Sequence, residues 1–249
     1  YNGMKFLKYL FLAIVAIAIL GFAYVKLVAS EDRPTVVEGK DAQVMAQKML
    51  SAINKSAWDT LPYIKWTFSG KNHYVWDRVD NKAIVTIGEV EVQLDPDEVT
   101  GTATENGVVL EGEAKDKAVQ SGWSNWCNDM FWLSAPYKIH DRGTSLAIAK
   151  DEDGKEGLLV TYESGGVTPG DSYLWFLDDA GMPTGYKMWV SIIPIGGIYT
   201  SWEDWITVPG GAKIAQQHQG NISALKIPIT DVKAGFSWSD LGYSTSPIK

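Results

Sequence analysis

Residues 9–25 (YLFLAIVAIAILGFAYV) run for 17 positions without a charge. Lys5 and Lys8 precede the run. Leu27, Val28 and Ala29 extend it past Lys26, whose aliphatic stem lies along apolar surroundings while its ammonium reaches water. The stretch approaches the ~20 apolar residues that a bilayer-crossing helix needs. It predicts a transmembrane helix, or uncleaved signal anchor, over residues 4–29. The flanking lysines put the N-terminus inside and the rest of the chain outside. The competing expectation is a signal peptide cleaved after Val28-Ala29-Ser30, against which stands an apolar run longer than the usual ~7–15-residue signal core. No cysteine follows the segment, so a lipid-modified N-terminus is not expected. Residues 1–3 stand ahead of Met4-Lys5, a natural start, and read as upstream residues.

Residues 30–40 are polar, contain Pro34 and Gly39, and read as a linker. From Asp41, a plausible N-cap, the pattern becomes helical: Ala42, Met45, Ala46, Met49, Ala52, Ile53 and Ala57 recur at three- and four-residue spacing up to about Trp58. Alternation then takes over. Ile64, Trp66 and Phe68 alternate with polar neighbours, as do Tyr74 and Trp76, Ile84 and Thr86, and Val90, Val92 and Leu94. Ser69-Gly70, Asp80-Asn81, Asp95-Pro96 and Asn106-Gly107 punctuate the series, and Asn-Gly is a strong hairpin signal. The rhythm breaks at residues 114–136, where Trp123, Trp126, Met130 and Leu133 share a helical stripe with Cys127 and Phe131 beside it. One helix or two short ones are expected there, ending before Pro136. Strands resume over 144–149, 158–162, 172–177, 186–192, 197–208, 212–218 and 221–232.

The order is helix, about five strands, helical insert, about six strands. It predicts a mainly β fold with helices (α+β), one large antiparallel sheet curled around helices, occupying residues 41–249 as a single extracytoplasmic domain. No fixed-period repeat supports a propeller or solenoid.

Charge narrows the partners. The chain carries 22 basic and 30 acidic residues; residues 1–30 hold three lysines and no acid, which leaves 19 against 30, or −11, outside the anchor. So acidic a domain is unsuited to nucleic acid, whose phosphates call for clustered Lys and Arg, and to electrostatic attachment on anionic lipid. Membrane contact outside the anchor is therefore expected to be apolar. Cys127, the single cysteine, excludes an internal disulfide and Cys-rich metal sites and reads as a small core residue. His73, His140 and His218 have no partner at ligand spacing, so no metal and no cofactor is expected. Asp151-Glu152-Asp153-Gly154 lacks the rest of a calcium loop. No nucleophile elbow or phosphate loop is present. Asp77, Asp129, Asp141 and Asp204 near aromatics leave glycoside chemistry a third-ranked idea. No catalytic residues are assigned, and the chain is read as a non-enzyme.

The chain has 11 tryptophans. Trp66, Trp76, Trp175, Trp189 and Trp205 are placed on strands where they could share one interior. Trp126, Phe131 and Trp132 of the insert could plug it. Two readings stay open: a filled aromatic core, or an aromatic-lined cavity for an acyl chain.

Helix first, curled sheet next and a helical plug between: the order resembles the LolA/LolB-type lipoprotein carriers. Trp76-Asp77-Arg78, the stretch 132–143 (WLSAPYKIHDRG), residues 168–173 (TPGDSY), and Trp202-Glu203-Asp204-Trp205 ahead of Gly210-Gly211-Ala212 also resemble uncharacterised exported domains of the Bacteroidetes. The resemblance spans most of residues 41–232. It implies an open antiparallel half-barrel that shields lipoprotein acyl chains, with a strand arginine holding the lid closed. Arg78 is the position nominated for that arginine, the plainer alternative being a surface pair with Asp77 or Asp80. The implied setting is a bacterial inner membrane, with one pass and the domain in the periplasm. A retained anchor departs from the family, since a shuttling carrier must be free to move. The second expectation is therefore a non-catalytic accessory subunit that contacts other membrane proteins.

Overall fold

The alternation of apolar and polar positions lays the chain down as two successive meanders and a joining triplet of strands. A computed structural model describes residues 7–12, 15, 21, 24, 30–164, 168–221 and 225–248. The segment expected to cross the membrane, residues 4–29, lies for the most part outside the described residues; 7–12, 15, 21 and 24 are helical. Among the described residues no helix is long and apolar enough to cross a membrane.

The first meander comprises β2 (Tyr63–Phe68), β3 (Asn72–Asp77), β4 (Lys82–Ile87), β5 (Val90–Asp95), β6 (Thr100–Glu105) and β7 (Val108–Val109). The second comprises β8 (Thr144–Lys150), β9 (Glu156–Tyr162), β10 (Asp171–Leu177), β11 (Pro183–Trp189) and β12 (Ile198–Ser201). A two-residue strand from the expected linker, β1 (Thr35–Val36), pairs with β8 at the edge of the second meander. The triplet β13 (Glu203–Thr207), β14 (Lys213–Gln219) and β15 (Lys226–Gly235) then joins β2 through β15. Among the described residues this gives a six-stranded sheet, β1-β8-β9-β10-β11-β12, and a nine-stranded sheet, β13-β14-β15-β2-β3-β4-β5-β6-β7. Every described pairing is antiparallel.

The two sheets meet where the expected strand 197–208 changes partners. β12 pairs with β11, Trp202 interrupts the run, and β13 pairs with β14; Thr200 also bridges to Gly220 beyond β14. Asp204, at φ 54°, supplies the left-handed step that re-aims the strand. Among the described residues the outer strands β1 and β12 of one sheet and β13 and β7 of the other each pair along one side, so neither sheet is a closed barrel.

Three helices pack on this sheet. α1 (Ala42–Ala52) begins where the Asp41 side chain accepts from Gln43 N at 2.8 Å. It buries Ala46, Met49 and Leu50. The expected continuous helix to Trp58 is broken at Asn54, whose left-handed backbone (φ 60°) starts the short α2 (Lys55–Thr60). There the Asn54 side chain accepts from Ala57 N and donates to Gly211 O. α3 (Gly112–Ser134) is one helix of 23 residues, ending before Pro136 as expected. Of the expected stripe, Trp126 and Leu133 are buried and Trp123 and Met130 are half-buried against the core, while Val119, Gly122, Asp129 and Trp132 complete the buried face. Gly122 permits this seating: a Cβ there would sit 3.2 Å from Val92 Cγ2 of β5.

One main core joins α1, α2, α3 and both sheets. Behind the first meander, the C-terminal residues Trp238, Leu241, Tyr243 and Ile248 cover Val75 and Ile84. Behind the second, Leu174, Phe176 and Trp189 form a smaller cluster.

Candidate functional site: the concave face beneath the long helix

α3 lies against the same face of both sheets. On the nine-stranded side its Trp126 meets Trp66, Tyr74 and Trp76 at ring separations of 5.7, 6.0 and 5.1 Å. Trp66 and Tyr74, paired across β2 and β3, stack at 4.8 Å. On the six-stranded side Phe131 meets Tyr162 and Tyr173 at 5.5 and 4.9 Å. Trp132 meets Tyr186 at 5.8 Å and His218 at 5.3 Å. Behind these, Trp175 packs on Tyr186 and Trp202, and Trp202 lies edge-on to His218 at 4.3 Å.

Most of the site residues named from the sequence are therefore gathered on one face. Trp66, Trp126, Trp132 and Trp175 are buried there, and Trp76 and Phe131 are half-buried; Trp205, half-buried 6.1 Å from Trp202, pairs with Ala215 and so takes the face of β14 opposite to His218. Trp205 donates to Trp202 O at 3.1 Å. Trp189 is elsewhere. β11 puts Tyr186 and Trp189 on opposite faces, since side chains alternate. Trp189 packs behind the sheet with Leu174 and Phe176 and donates to Glu31 O at 3.0 Å. Its odd spacing from Tyr186 and Met188 was the signal for this.

Arg78 is not paired with Asp77 or Asp80 but sits at the edge of the aromatic interior, 5.2 Å from the centroid of Trp76. Its guanidinium lies over the Trp58 ring, 4.2 Å from the centroid, and Nη1 donates to Trp58 O at 2.5 Å and to Leu61 O. These are carbonyls at the C-terminal end of α2, whose partial negative charge a cation complements. Trp58 is stacked on its far side by Tyr137 at 4.4 Å. Burial pulls the Arg78 pKa down to about 10 although Asp59 opposes the shift, which leaves it charged at neutral pH. Asp77 accepts instead from Val79 N and Asp80 N in the turn after β3.

Three polar residues that the sequence reading did not assign to the site organise it. Asp129 on α3 is 2 % exposed. It accepts from Tyr74 Oη at 2.5 Å, Asn72 Nδ2 at 2.8 Å and Asn128 Nδ2 at 2.8 Å. Burial raises its pKa, while those donors pull it back. Burial, reinforced by Asp129, pushes the Tyr74 phenol up. His218 is fully buried, and desolvation lowers its pKa to about 4, so it is neutral. Its Nδ1 lies 3.3 Å from Ser201 O. The Trp132 backbone also hydrogen-bonds the ring, so two carbonyls compete for the one N–H of the neutral imidazole.

Several buried polar atoms on this face lack a partner. Trp66 Nε1, Trp175 Nε1 and Tyr162 Oη have none; Tyr186 Oη, Trp202 Nε1 and His218 Nε2 have none of normal geometry. Two surface hollows, about 530 Å³ along α1 and about 380 Å³ beside Ser30, Pro169 and Pro194, lie away from these rings. The interior is filled by the side chains of α3.

The other candidate acids are scattered: Asp141 is exposed and paired with Lys138, and Asp204 is exposed on β13. Among the described residues no three His, Cys, Asp or Glu groups are placed to hold a metal. Cys127 is half-buried, and burial pushes its thiol up to about 11, consistent with an inert packing residue.

No protein-family model and no curated protein matches the chain. In fold it is similar to several solved structures. A LolA superfamily protein of Nitrosomonas europaea is 13 % identical, with 76 % of this chain and 94 % of that one covered and a TM-score of 0.34. A DUF1329 family protein of Desulfovibrio piger is 11 % identical, with 84 % and 99 % covered and a TM-score of 0.43. A domain named for outer membrane lipoprotein sorting, from Vibrio parahaemolyticus, is 8 % identical, with 79 % and 97 % covered and a TM-score of 0.37.

Proposed function

We propose that this is a membrane-anchored, extracytoplasmic binding module for a lipid or a lipid-modified partner, working without catalysis. The sheet is an open half-barrel and α3 is its displaceable plug. Residues 4–29 hold the domain on the outer face of a bacterial inner membrane, in the periplasm. The observation that supports the reading best is the set of unpartnered polar atoms at the ends of buried aromatic rings on the six-stranded side. A buried donor or acceptor left unpaired costs about 1–3 kcal/mol. The closed interior therefore carries unspent hydrogen-bonding capacity on an otherwise apolar wall. An acyl chain with its ester carbonyls matches both properties: each buried CH₂ contributes about 0.8 kcal/mol, and the carbonyls accept from Trp175 and Trp202. Phe131, Trp132 and Trp175 line the path between α3 and the second meander, and Trp66, Trp76 and Trp126 form its end. Arg78 acts as a latch that keeps α2 seated while the site is closed.

The filled interior also supports a second reading, an accessory subunit of a membrane protein complex that holds no lipid inside. One experiment separates them. The full chain is exposed in its native membrane to a phospholipid with a photoreactive acyl chain, and the crosslinked peptides are mapped by mass spectrometry. The binding module predicts adducts on residues 127–138 and 172–189 as well as on the anchor. Adducts confined to residues 4–29, on a chain isolated in fixed ratio with other proteins, would favour the accessory subunit and sink the lipid reading.

A further inference from the structure

The end of the anchor is bolted to one loop of the domain. Ser30 Oγ accepts from Gly196 N at 2.9 Å, and Glu31 N donates to Gly196 O at 3.0 Å. Trp189 Nε1 donates to Glu31 O at 3.0 Å, and Lys187 Nζ donates to both Glu31 carboxylate oxygens at 2.8 and 2.9 Å. The fit is close enough to exclude side chains. A Cβ on Gly196 would lie 2.6 Å from Glu31 O, and one on Gly197 2.6 Å from Glu31 Cβ. The residue at which the apolar N-terminal run ends is thus fixed against the β11–β12 connection.

That connection reads Val190-Ser-Ile-Ile-Pro-Ile195, with no charge. Val190, Ile193 and Ile195 pack partly on the core. Ile192 is 72 % exposed, and Pro194 is exposed beside it. The loop is held in shape by Ile193 N donating to Val190 O and by Ser191 N donating to Asp171 Oδ1. Ile192 is four residues from Gly196, so its backbone is within about 14 Å of the anchor's exit. The interfacial layer on each side of a bilayer's hydrocarbon is several ångströms deep.

We propose that the tip Ser191–Ile195 is a second membrane contact, inserting Ile192 and Pro194 into the lipid interface beside the anchor. The occupant is the lipid surface of the bilayer that carries residues 4–29, and the inference rests on that anchor reading. The contact is apolar in kind. Asp32, Glu152 and Asp153 stand near the exit, joined through the Asp32 N to Glu152 bond and the Lys187 ion pairs, and outnumber Arg33, the exposed base beside the loop, so the exit offers no cationic cluster to anionic headgroups. Two fastenings fix the tilt of the half-barrel relative to the membrane, where an anchor alone leaves it free to swing.

The test uses the full chain with Cys127→Ser, reconstituted in phosphatidylcholine vesicles. A single cysteine carries an environment-sensitive fluorophore at Ile192→Cys or, as the comparison, at Val79→Cys, a position 68 % exposed in the turn after β3. Insertion predicts blue-shifted emission at 192, quenching there by lipids spin-labelled near the headgroup, and neither effect at 79. A shift seen only with added phosphatidylglycerol would overturn apolar insertion. Equal quenching of both sites by aqueous iodide, in a chain that resists carbonate extraction, would overturn the loop contact and leave the anchor standing. Extraction by carbonate would refute the anchor, and the loop inference with it.

Discussion

The two walls of the concave face are built from the same residue types but finished differently. Where α3 meets the first meander, the polar ends are paired: Asp129 collects Tyr74, Asn72 and Asn128, and Trp76 Nε1 donates to Asn81 Oδ1 at 3.0 Å. Trp66 Nε1 is the exception there. Where α3 meets the second meander, contact is made by ring faces and edges; Tyr162 Oη and Trp175 Nε1 have no partner, and Tyr186 Oη meets Trp202 Nε1 without a well-formed bond. The difference teaches which side of the helix is fixed. A carboxylate with three donors defines one geometry, whereas aromatic edges re-pack against a guest at little cost in directionality. The helix is tied to the first meander by hydrogen bonds and rests on the second by ring contacts.

The strongest way to break that comparison is to remove the fixed side. Asp129→Ala leaves three donors without their acceptor, two of them reaching in from β3 and its start, and should cost about 3–4 kcal/mol. Urea unfolding of the full chain in mild detergent measures it as a lower midpoint. A loss under 1 kcal/mol would mean that the carboxylate does not hold the helix.

Acid tests the end of the helix next, where Trp132 rests on His218 of β14. His218 has a folded pKa near 4 against an ordinary 6.5, so the unfolded chain binds its proton first. Its contribution is complete above about pH 6.5 and is lost as pH falls through 4, amounting to at most about 3 kcal/mol at 1.36 kcal/mol per unit. Asp129 works with the opposite sign. Its raised pKa makes protonation favour the fold, a gain present at low pH and lost as pH rises through the folded value. Wild type should therefore lose stability between pH 6.5 and 4, and His218→Gln should lose less. Parallel pH profiles for the two would show that His218 is not buried neutral.

The smallest effect is the sharpest contrast. Tyr74→Phe removes a hydroxyl bonded to Asp129 and should cost about 1–2 kcal/mol. Tyr186→Phe removes a buried hydroxyl without a well-formed bond and should stay within about 0.5 kcal/mol of wild type, or stabilise. Equal losses at the two positions would erase the distinction between the walls.

Much of this architecture is legible along the chain because burial imposes period. The meander turns, the helical insert and its end before Pro136 follow from alternation and its interruption. What escapes is what depends on partners distant in sequence. Nothing local marks Asp129 as interior: its donors Asn72 and Tyr74 lie more than 50 positions away, and only a folded sheet brings them under the helix. Gly122 has no apolar surface to register in a hydrophobic stripe, yet its missing side chain lets the helix approach Val92 of β5. β10 is buried on both faces from Asp171 to Phe176, so alternation vanishes where it would have sorted Trp175 from its neighbours. The strand 197–208 reads as continuous because its path is continuous; only its hydrogen-bonding partners change at Trp202.

The placement of β13, β14 and β15 has a consequence for how the chain is made. Each meander consists of neighbours in sequence and closes short loops, so each is able to form as it emerges. The triplet, synthesised last, supplies the connection between them by laying β15 on β2 across more than 150 residues of intervening chain. Until it arrives, β2 presents an unpaired edge, a template for another molecule's strand. A product arrested before residue 203 would hold nearly all of the aromatic interior and yet be two open ribbons, so assembly of this protein is completed from its C-terminal end.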